Sequence, residues 1–296
     1  MRVRLTMTEY NADWALSSRN FHPRSEPGYL TLEDTINFFG RLGIDGLELF
    51  HPYWESTASS DLQHLADDAG LSIFSYIFFV DLALPIPERT QAVDHVFAIL
   101  DRTAELGASL AMIVPGLFKD QYSLDDQRMW MIEGLQSCAS RAATMGLMLA
   151  SENIDDPSAR PLMGRGSDCH DICAEVDSTS YRLIYDAGAA LHLGDDPLQT
   201  LHDMAPYMCH VHVKNSRHMM PGENKARYLE AENGQRFVST TLDTGEVDLV
   251  PIVAELSRLK YDGHMLIEYQ GQDDPRTALE INVRYLHGLL DGVNSV

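Results

Sequence analysis

Four ionisable side chains, each at the end of a short apolar run, give this sequence its chemical character. They are Glu152, Asp186, His212 and Glu268, and they follow one another at intervals of 34, 26 and 56 residues. Intervals of this size fit successive strands of a barrel built from alternating strands and helices. Carboxylates and an imidazole are ligands that divalent cations accept, so the spacing predicts a metal-dependent site at the strand ends.

Short apolar runs that alternate with amphipathic helical patterns are expected to position these side chains. Nearly continuous apolar runs are typical of parallel strands covered on both faces. No G-x-G-x-x-G motif follows the first run, which disfavours a dinucleotide-binding fold. The pattern predicts one (β/α)8 TIM barrel, an α/β fold, as a single domain over residues 1–296. The predicted strands are Val3–Met7, Gly46–Phe50, Ser72–Val80, Ser109–Val114, Leu147–Glu152, Arg182–Asp186, Met208–Lys214 and His264–Tyr269.

One connection is much longer than the others. Residues 215–246 join the seventh and eighth predicted strands, and this stretch is polar and interrupted by proline and glycine. A long connection after a barrel strand lies on the C-terminal face of the barrel, where substrates bind. We therefore expect residues 215–246, called the lid segment below, to be a loop that covers the site.

The charge of the chain restricts its partners. Lys and Arg number 22 and Asp and Glu number 44, which gives a formal net charge of −22 at pH 7. Such a chain repels nucleic-acid phosphates and anionic membranes. The sequence has no apolar run long enough to span a membrane and no N-terminal pattern of a signal peptide. We expect a cytoplasmic protein that binds neither nucleic acid nor membrane; its oligomeric state is open, with a homo-oligomer as one alternative.

The strand ends of a barrel meet at its mouth, so the four ionisable residues should converge there. Carboxylates that converge in one mouth repel one another, and a single divalent cation would neutralise them. Mn²⁺ is our first choice, with Mg²⁺, Co²⁺ or Zn²⁺ as alternatives. Each residue alone has an ordinary alternative, such as an ion pair for a glutamate or a turn cap for Asp186. Their joint occurrence on four successive strands favours the shared site.

The order of several short motifs resembles the xylose isomerase-like TIM-barrel superfamily of sugar isomerases and epimerases. The resemblance spans residues 1–290 and implies a metal held by Glu152, Asp186, His212 and Glu268, with the second histidine of His-x-His as the ligand. It also implies that Glu152 and Glu268 exchange protons with a hydroxy-ketone sugar through an enediolate. The matching segments are Gly46-Leu47-Glu48-Leu49, Ala150-Ser151-Glu152-Asn153, Tyr185-Asp186-Ala187-Gly188, His210-Val211-His212-Val213-Lys214, Gly245-Glu246-Val247-Asp248 and Ile267-Glu268-Tyr269.

Five further residues are predicted to contact a carbohydrate substrate. Lys214 and Arg217 follow the metal-binding histidine and could bind a hydroxyl, carboxylate or phosphate group. His51 and Trp54 follow the second strand and could form an aromatic wall, and His210 lies on the same side of its strand as the predicted ligand. The structural alternative is a surface ion pair for Lys214 and Arg217 and loop packing for His51 and Trp54. For His210 it is a buried, hydrogen-bonded histidine.

Two positions depart from the ketose 3-epimerases of this superfamily. Those enzymes carry a second glutamate six residues after the first metal-binding glutamate, and a histidine three residues after the aspartate; here the residues are Ser158 and Ala189. His192, six residues beyond Asp186, is a further candidate for the mouth. A metal-dependent isomerase or epimerase is our leading hypothesis. A lyase on the same scaffold, of the inosose dehydratase or C-glycoside-cleaving kind, and a non-catalytic sugar-binding relative are the alternatives.

Overall fold

The apolar runs form the strands of a closed parallel barrel in the computed structural model, which describes residues 3–8, 32–223, 228–231 and 233–294. The spatial order of the barrel strands is β1-β11-β7-β6-β5-β4-β3-β2. The predicted (β/α)8 barrel is therefore confirmed. The strands are β1 (Arg4–Met7), β2 (Gly46–Phe50), β3 (Ser72–Phe79), β4 (Leu110–Val114), β5 (Met148–Glu152), β6 (Tyr181–Asp186), β7 (Met208–Val213), β8 (Asn215–His218), β9 (Leu229–Glu230), β10 (Arg236–Thr240) and β11 (His264–Ile267).

Helices follow the barrel strands and cover them. The longest, α5, begins where the Ser123 side chain accepts a hydrogen bond from the backbone N–H of Asp126, and it ends at Gly146, whose φ of 69° suits glycine. Among the described residues, no helix is both long and apolar enough to cross a membrane. The helices are α1 (Leu32–Leu42), α2 (His51–Trp54), α3 (Ser59–Asp68), α4 (Glu88–Glu105), α5 (Leu124–Met145), α6 (Arg160–Met163), α7 (Gly166–Val176), α8 (Ala187–His192), α9 (Pro197–Met204), α10 (Leu249–Arg258) and α11 (Pro275–Asn294).

The interior of the barrel contains a polar layer as well as apolar side chains. Thr6, Glu48, Ser75 and His210 come from four different strands and are all fully buried. They are hydrogen-bonded to one another, which offsets the cost of removing them from water. This layer lies beside His212, so part of the barrel interior supports the predicted site.

The lid segment contains a small antiparallel sheet in the order β8-β10-β9 rather than the loop predicted from sequence. Its central strand pairs Phe237 with His218 and Thr240 with Asn215. Asn215 also fixes the two ends of the segment. Its Nδ2 donates to the carbonyls of Leu242 and Val247, at 2.9 and 3.0 Å, and its Oδ1 accepts from the N–H of Val247 at 2.9 Å. The sequence did not reveal these strands for two reasons. They are polar, and the strands with which they pair are distant in sequence.

Candidate active site

Glu152, His212 and Glu268 converge at the C-terminal end of the barrel, where one ligand atom from each lies within 4.8 Å of the others. Strand register produces this cluster. Glu152 pairs with Ile184 of β6, and Asp186 pairs with His212 of β7. Glu268 directly follows β11, and its N–H donates to the carbonyl of Val213 at 3.0 Å. Three of the four predicted metal ligands therefore meet.

Several polar atoms of this cluster are buried but have no hydrogen-bond partner among the described residues. They are Oε2 of Glu152 and both ring nitrogens of His212. His212 Nδ1 lies 3.1 Å from Glu152 Oε2 and 3.9 Å from Glu268 Oε2, without the alignment of a hydrogen bond. Buried polar atoms without partners are costly, and a divalent cation would satisfy Glu152 Oε2 and one ring nitrogen of His212 together. The donor set of carboxylates and one imidazole fits such a cation.

Asp186, the fourth predicted ligand, lies beside the cluster and has two other partners. Its Oδ1 caps α8 by accepting from the N–H groups of Gly188 and Ala189, at 2.8 and 3.2 Å. Its Oδ2 lies 2.7 Å from the ammonium of Lys214. Burial raises the pKa of Asp186, and the charge of Glu152 raises it further, against the opposing effect of Lys214. Asp186 therefore caps a helix and also lies beside the other predicted ligands.

Lys214 is buried in the same mouth, among carboxylates. Its Nζ lies 3.1 Å from Asp155 Oδ2 and 3.9 Å from Glu268 Oε2, in addition to the contact with Asp186. Burial alone would lower the pKa of Lys214, but these carboxylates outweigh it and raise the pKa well above its usual value. Gly188 permits this packing, because a Cβ at that position would lie 2.3 Å from Lys214 Cγ.

The surroundings of one carboxyl group in the cluster raise its pKa to near neutral pH. Burial raises the pKa of Glu268 to about 7, with the charges of Asp186 and Glu152 adding to the effect and Lys214 opposing it. Burial lowers the pKa of His212, but the neighbouring carboxylates of Glu152, Glu48 and Glu268 outweigh this and raise it to about 9. A carboxyl group with a pKa near 7 can both accept and return a proton near neutral pH.

A second group of buried side chains lies behind His212, and it includes a residue to which the sequence assigned no role. Glu48 Oε1 is 2.9 Å from His210 Nε2, while Thr6 and Ser75 donate to the two Glu48 oxygens at 2.6 and 2.5 Å. His210 Nδ1 lies 3.0 Å from the carbonyl of His264. Both ring nitrogens of His210 therefore have protein partners, which favours a structural role over substrate contact. The sequence signal for Glu48 was its place in Gly46-Leu47-Glu48-Leu49, one of the segments that match the family.

Burial would raise the pKa of Glu48, but His210 outweighs it and lowers the pKa to about 2. Glu48 therefore remains a carboxylate, and its Oε2 lies 3.9 Å from His212 Nε2. The imidazole of His212 thus lies between Glu48 on one side and Glu152 and Glu268 on the other, and these last two residues and His212 are called the metal-ligand cluster below.

The other predicted substrate residues lie elsewhere around the mouth. His51 Nδ1 is hydrogen-bonded to the Tyr76 hydroxyl at 2.9 Å, and Trp54 is buried with its carbonyl accepting from Arg102. Arg217 makes two 2.9 Å bonds to Glu223 within the lid segment. None of these contacts involves the metal-ligand cluster, and a role in substrate binding stays a prediction for each residue.

A histidine–carboxylate pair completes the mouth. His192 Nδ1 lies 2.7 Å from Asp155 Oδ2, and the same oxygen contacts Lys214. From the sequence, His192 is a candidate for the mouth, but Asp155 has no assigned role. The signal for Asp155 was its position, three residues beyond Glu152 in the connection that follows β5.

The fold agrees with the comparison to known proteins. The chain belongs to the xylose isomerase-like TIM barrel family, whose model matches residues 38–288.

Relatives with curated names are similar to this chain at moderate identity. The chain is 25% identical over 271 residues to an inosose dehydratase of Geobacillus thermodenitrificans (strain NG80-2), and the match covers 85% of each protein. A stretch of 104 residues is 33% identical to the inosose dehydratase of Geobacillus kaustophilus (strain HTA426), covering 35% of this chain and 33% of that protein. The solved structure of an L-ribulose 3-epimerase has a TM-score of 0.78 at 15% identity and covers 99% of this chain and 96% of that chain. This last likeness concerns the fold alone.

Proposed function

We propose that this protein is a metal-dependent enzyme that removes a proton from the carbon beside the carbonyl of a polyol ketone. The observation that carries the proposal is the convergence of Glu152, His212 and Glu268, with buried polar atoms that lack partners in the described structure. Membership of a family that includes sugar-processing enzymes supports a small carbohydrate as the substrate.

A divalent cation would be held by Glu152, Asp186, His212 and Glu268. When bound, it would supply a Lewis acid that polarises the substrate carbonyl and makes the neighbouring C–H bond more acidic. Mn²⁺ remains our first choice on the basis of the mixed oxygen and nitrogen donors.

Glu152 and Glu268 are the proposed proton-transfer pair. In the metal-free protein, burial and neighbouring carboxylates disfavour the charge of Glu268 and raise its pKa to about 7. Glu152 Oε2 and Glu268 Oε2 lie 3.1 and 3.9 Å from the same nitrogen, His212 Nδ1. Return of the proton to the neighbouring carbon of the intermediate gives isomerisation, and return to the same carbon from the opposite face gives epimerisation. Isomerisation and epimerisation are the reactions that this pair of carboxylates supports by itself.

Dehydration is the second candidate, and separate observations favour it. The relatives that match over 85% of their length are inosose dehydratases, which by their name act on a cyclic polyol ketone. Ser158 and Ala189 stand where ketose 3-epimerases carry a glutamate and a histidine. A dehydratase uses the same first proton abstraction and then expels the hydroxyl on the next carbon.

Proton exchange in D₂O tests the proposed first step. The Mn²⁺-loaded protein is incubated with an inosose and with a panel of ketohexoses, and deuterium in substrate and product is measured by NMR and mass spectrometry. Glu152→Gln and Glu268→Gln should each reduce the exchange at least about 100-fold, because each removes a proton acceptor. Glu88→Gln, at an exposed position on α4, is the matched control and should leave exchange unchanged. Undiminished exchange in both site variants would refute the assigned roles.

The products separate the two candidate reactions. An isomer or epimer has the mass of the substrate, whereas dehydration removes one water molecule. A wild-type protein that catalyses neither exchange nor turnover with any ketone of the panel would contradict the proposed function itself.

A further inference from the structure

His192 is a buried histidine at the mouth of the barrel, and one of its ring nitrogens has no hydrogen-bond partner among the described residues. The residue is 2% exposed. Nδ1 is 2.7 Å from Asp155 Oδ2, while Nε2 is buried and has no hydrogen-bond partner among the residues that the structure describes. A buried ring nitrogen without a partner is costly unless a polar atom meets it in the functional state.

The position of the pair connects it to the metal-ligand cluster. His192 is the last residue of α8, the helix that Asp186 caps, and Asp155 lies in the connection that follows Glu152. Lys214 bridges the two regions, because its ammonium lies 3.1 Å from Asp155 and 2.7 Å from Asp186. The pair therefore belongs to the same end of the barrel as the proton-transfer carboxylates, but it is not part of the ligand cluster.

The partner of Nδ1 determines what Nε2 can do. A carboxylate that accepts from Nδ1–H fixes the orientation of the ring and stabilises its positive charge when Nε2 also carries a proton. Burial alone would raise the pKa of Asp155, but Lys214 and His192 outweigh it and hold the pKa well below its usual range, so Asp155 remains an acceptor. The ring of Phe237, from the lid segment, lies 5.1 Å from the His192 ring and limits its contact with water.

We propose that His192, oriented by Asp155, is a catalytic acid that protonates the hydroxyl group expelled from the substrate. The inference rests on the proposed function, in its dehydration form, and deepens it. Glu152 or Glu268 takes the proton from the carbon beside the carbonyl, and the electrons of that C–H bond form a C=C bond with the next carbon. The C–O bond at that carbon breaks, the electron pair goes to the oxygen, and the proton on Nε2 goes with it to form water. His192 is left neutral, with its Nδ1 proton still donated to Asp155.

The position of His192 relative to Ala189 is consistent with this role. Residues three apart on a helix share one face, so His192 and Ala189 lie on the same face of α8, one turn apart. The helix therefore carries an imidazole on the same face as position 189, one turn closer to its C-terminal end.

Separate measurement of elimination and exchange tests the role of His192. His192→Gln in the Mn²⁺-loaded full-length protein should reduce dehydration of an inosose at least about 100-fold, the usual lower contribution of a general acid. Deuterium exchange beside the carbonyl should remain within about threefold of the wild type, because the carboxylate pair is intact. Asp155→Asn should produce the same selective loss, since the ring loses the carboxylate that holds it.

His202→Gln is the matched control. His202 also pairs with a carboxylate, Glu255 at 3.0 Å, but on the exposed side of α9, and its loss should change neither rate. Equal losses of exchange and dehydration in His192→Gln would indicate a merely structural role and refute the proposal, as would two unchanged rates. A wild-type protein that exchanges deuterium but yields only isomers or epimers would also refute it, while leaving the proposed proton abstraction intact. Absence of exchange in the wild type would instead overturn the proposed function.

Discussion

His212 Nε2 lies 3.9 Å from Glu48 Oε2, while the other ring nitrogen of His212 lies 3.1 Å from Glu152 Oε2. The imidazole thus lies between the fully buried carboxylate of Glu48 and the carboxylate of Glu152. At this distance Glu48 makes no hydrogen bond to the ring, but its negative charge contributes to the raised pKa of His212. Glu48 therefore acts on a proposed metal ligand through its charge.

Glu48→Gln should therefore weaken the binding of Mn²⁺ by about 10-fold, the lower end of the effect of losing a carboxylate beside a metal-binding histidine. Calorimetric titration of the metal-free protein measures this directly and does not depend on the substrate. Glu175→Gln, at an exposed position on α7, is the control and should bind the metal like the wild type. Equal affinities of the wild type and Glu48→Gln would show that Glu48 only fills the barrel interior.

Metal binding should become tighter as the pH rises from 6 to 9. In the metal-free protein the pKa of Glu268 is about 7 and that of His212 is about 9, so both groups carry protons at the lower end of this range. A cation binds the deprotonated groups and must displace these protons. Calorimetry in two buffers with different ionisation enthalpies should detect about one to two protons released at pH 6 and fewer at pH 9. A constant affinity across this range would contradict the proposed ligands.

Lys214→Met should strongly destabilise the metal-free protein. The substitution leaves Asp155, Asp186 and Glu268 buried without their shared cation, and loss of one partner from a buried ion pair costs about 3–5 kcal/mol. Arg141→Met removes an exposed pair with Asp101 and should cost less than about 1 kcal/mol. Denaturant unfolding of both variants gives the comparison. Similar losses in the two variants would show that the carboxylates around Lys214 are relieved in another way.

Gly188→Ala and Gly288→Ala should change stability in opposite directions. A Cβ at position 188 would lie 2.3 Å from Lys214 Cγ and 3.0 Å from its carbonyl oxygen, so the substitution should cost about 1–3 kcal/mol. A Cβ at position 288 has no heavy atom within 4 Å, and alanine is favoured over glycine within a helix by about 1 kcal/mol. Thermal unfolding should therefore show a lower Tm for the first variant and a higher one for the second.

The sequence predicted the barrel because its signals are local. Apolar runs and the helices between them can be recognised from neighbouring residues, and each predicted barrel strand is present within one or two residues of its expected bounds. Glu152, His212 and Glu268 were recognisable because each one ends or follows such a run. Their convergence follows from the register of parallel strands, which the alternation of elements already implied.

The residues that sequence reasoning missed depend on distant partners. Glu48 is hydrogen-bonded to His210, which is 162 positions away in the sequence. Asp155 likewise contacts His192 and Lys214, which lie later in the chain. The strands of the lid segment also need each other, and no one of them is apolar enough to be recognised alone. Arg217 was predicted from its distance to His212, but its pairing with Glu223 depends on how the segment turns back.

The bonds of Asn215 have a consequence for how substrate preference can change within this scaffold. Because one side chain joins the start of the lid segment to its end at Leu242 and Val247, the chain leaves the barrel and returns to it at nearly the same point. We therefore expect that changes in length or sequence between these two points would leave the register of β7 and β11 unaltered. The segment is therefore a natural unit for grafting, and a chimera that keeps Asn215 and the residues of the mouth would alter the cover of the site while retaining its chemistry.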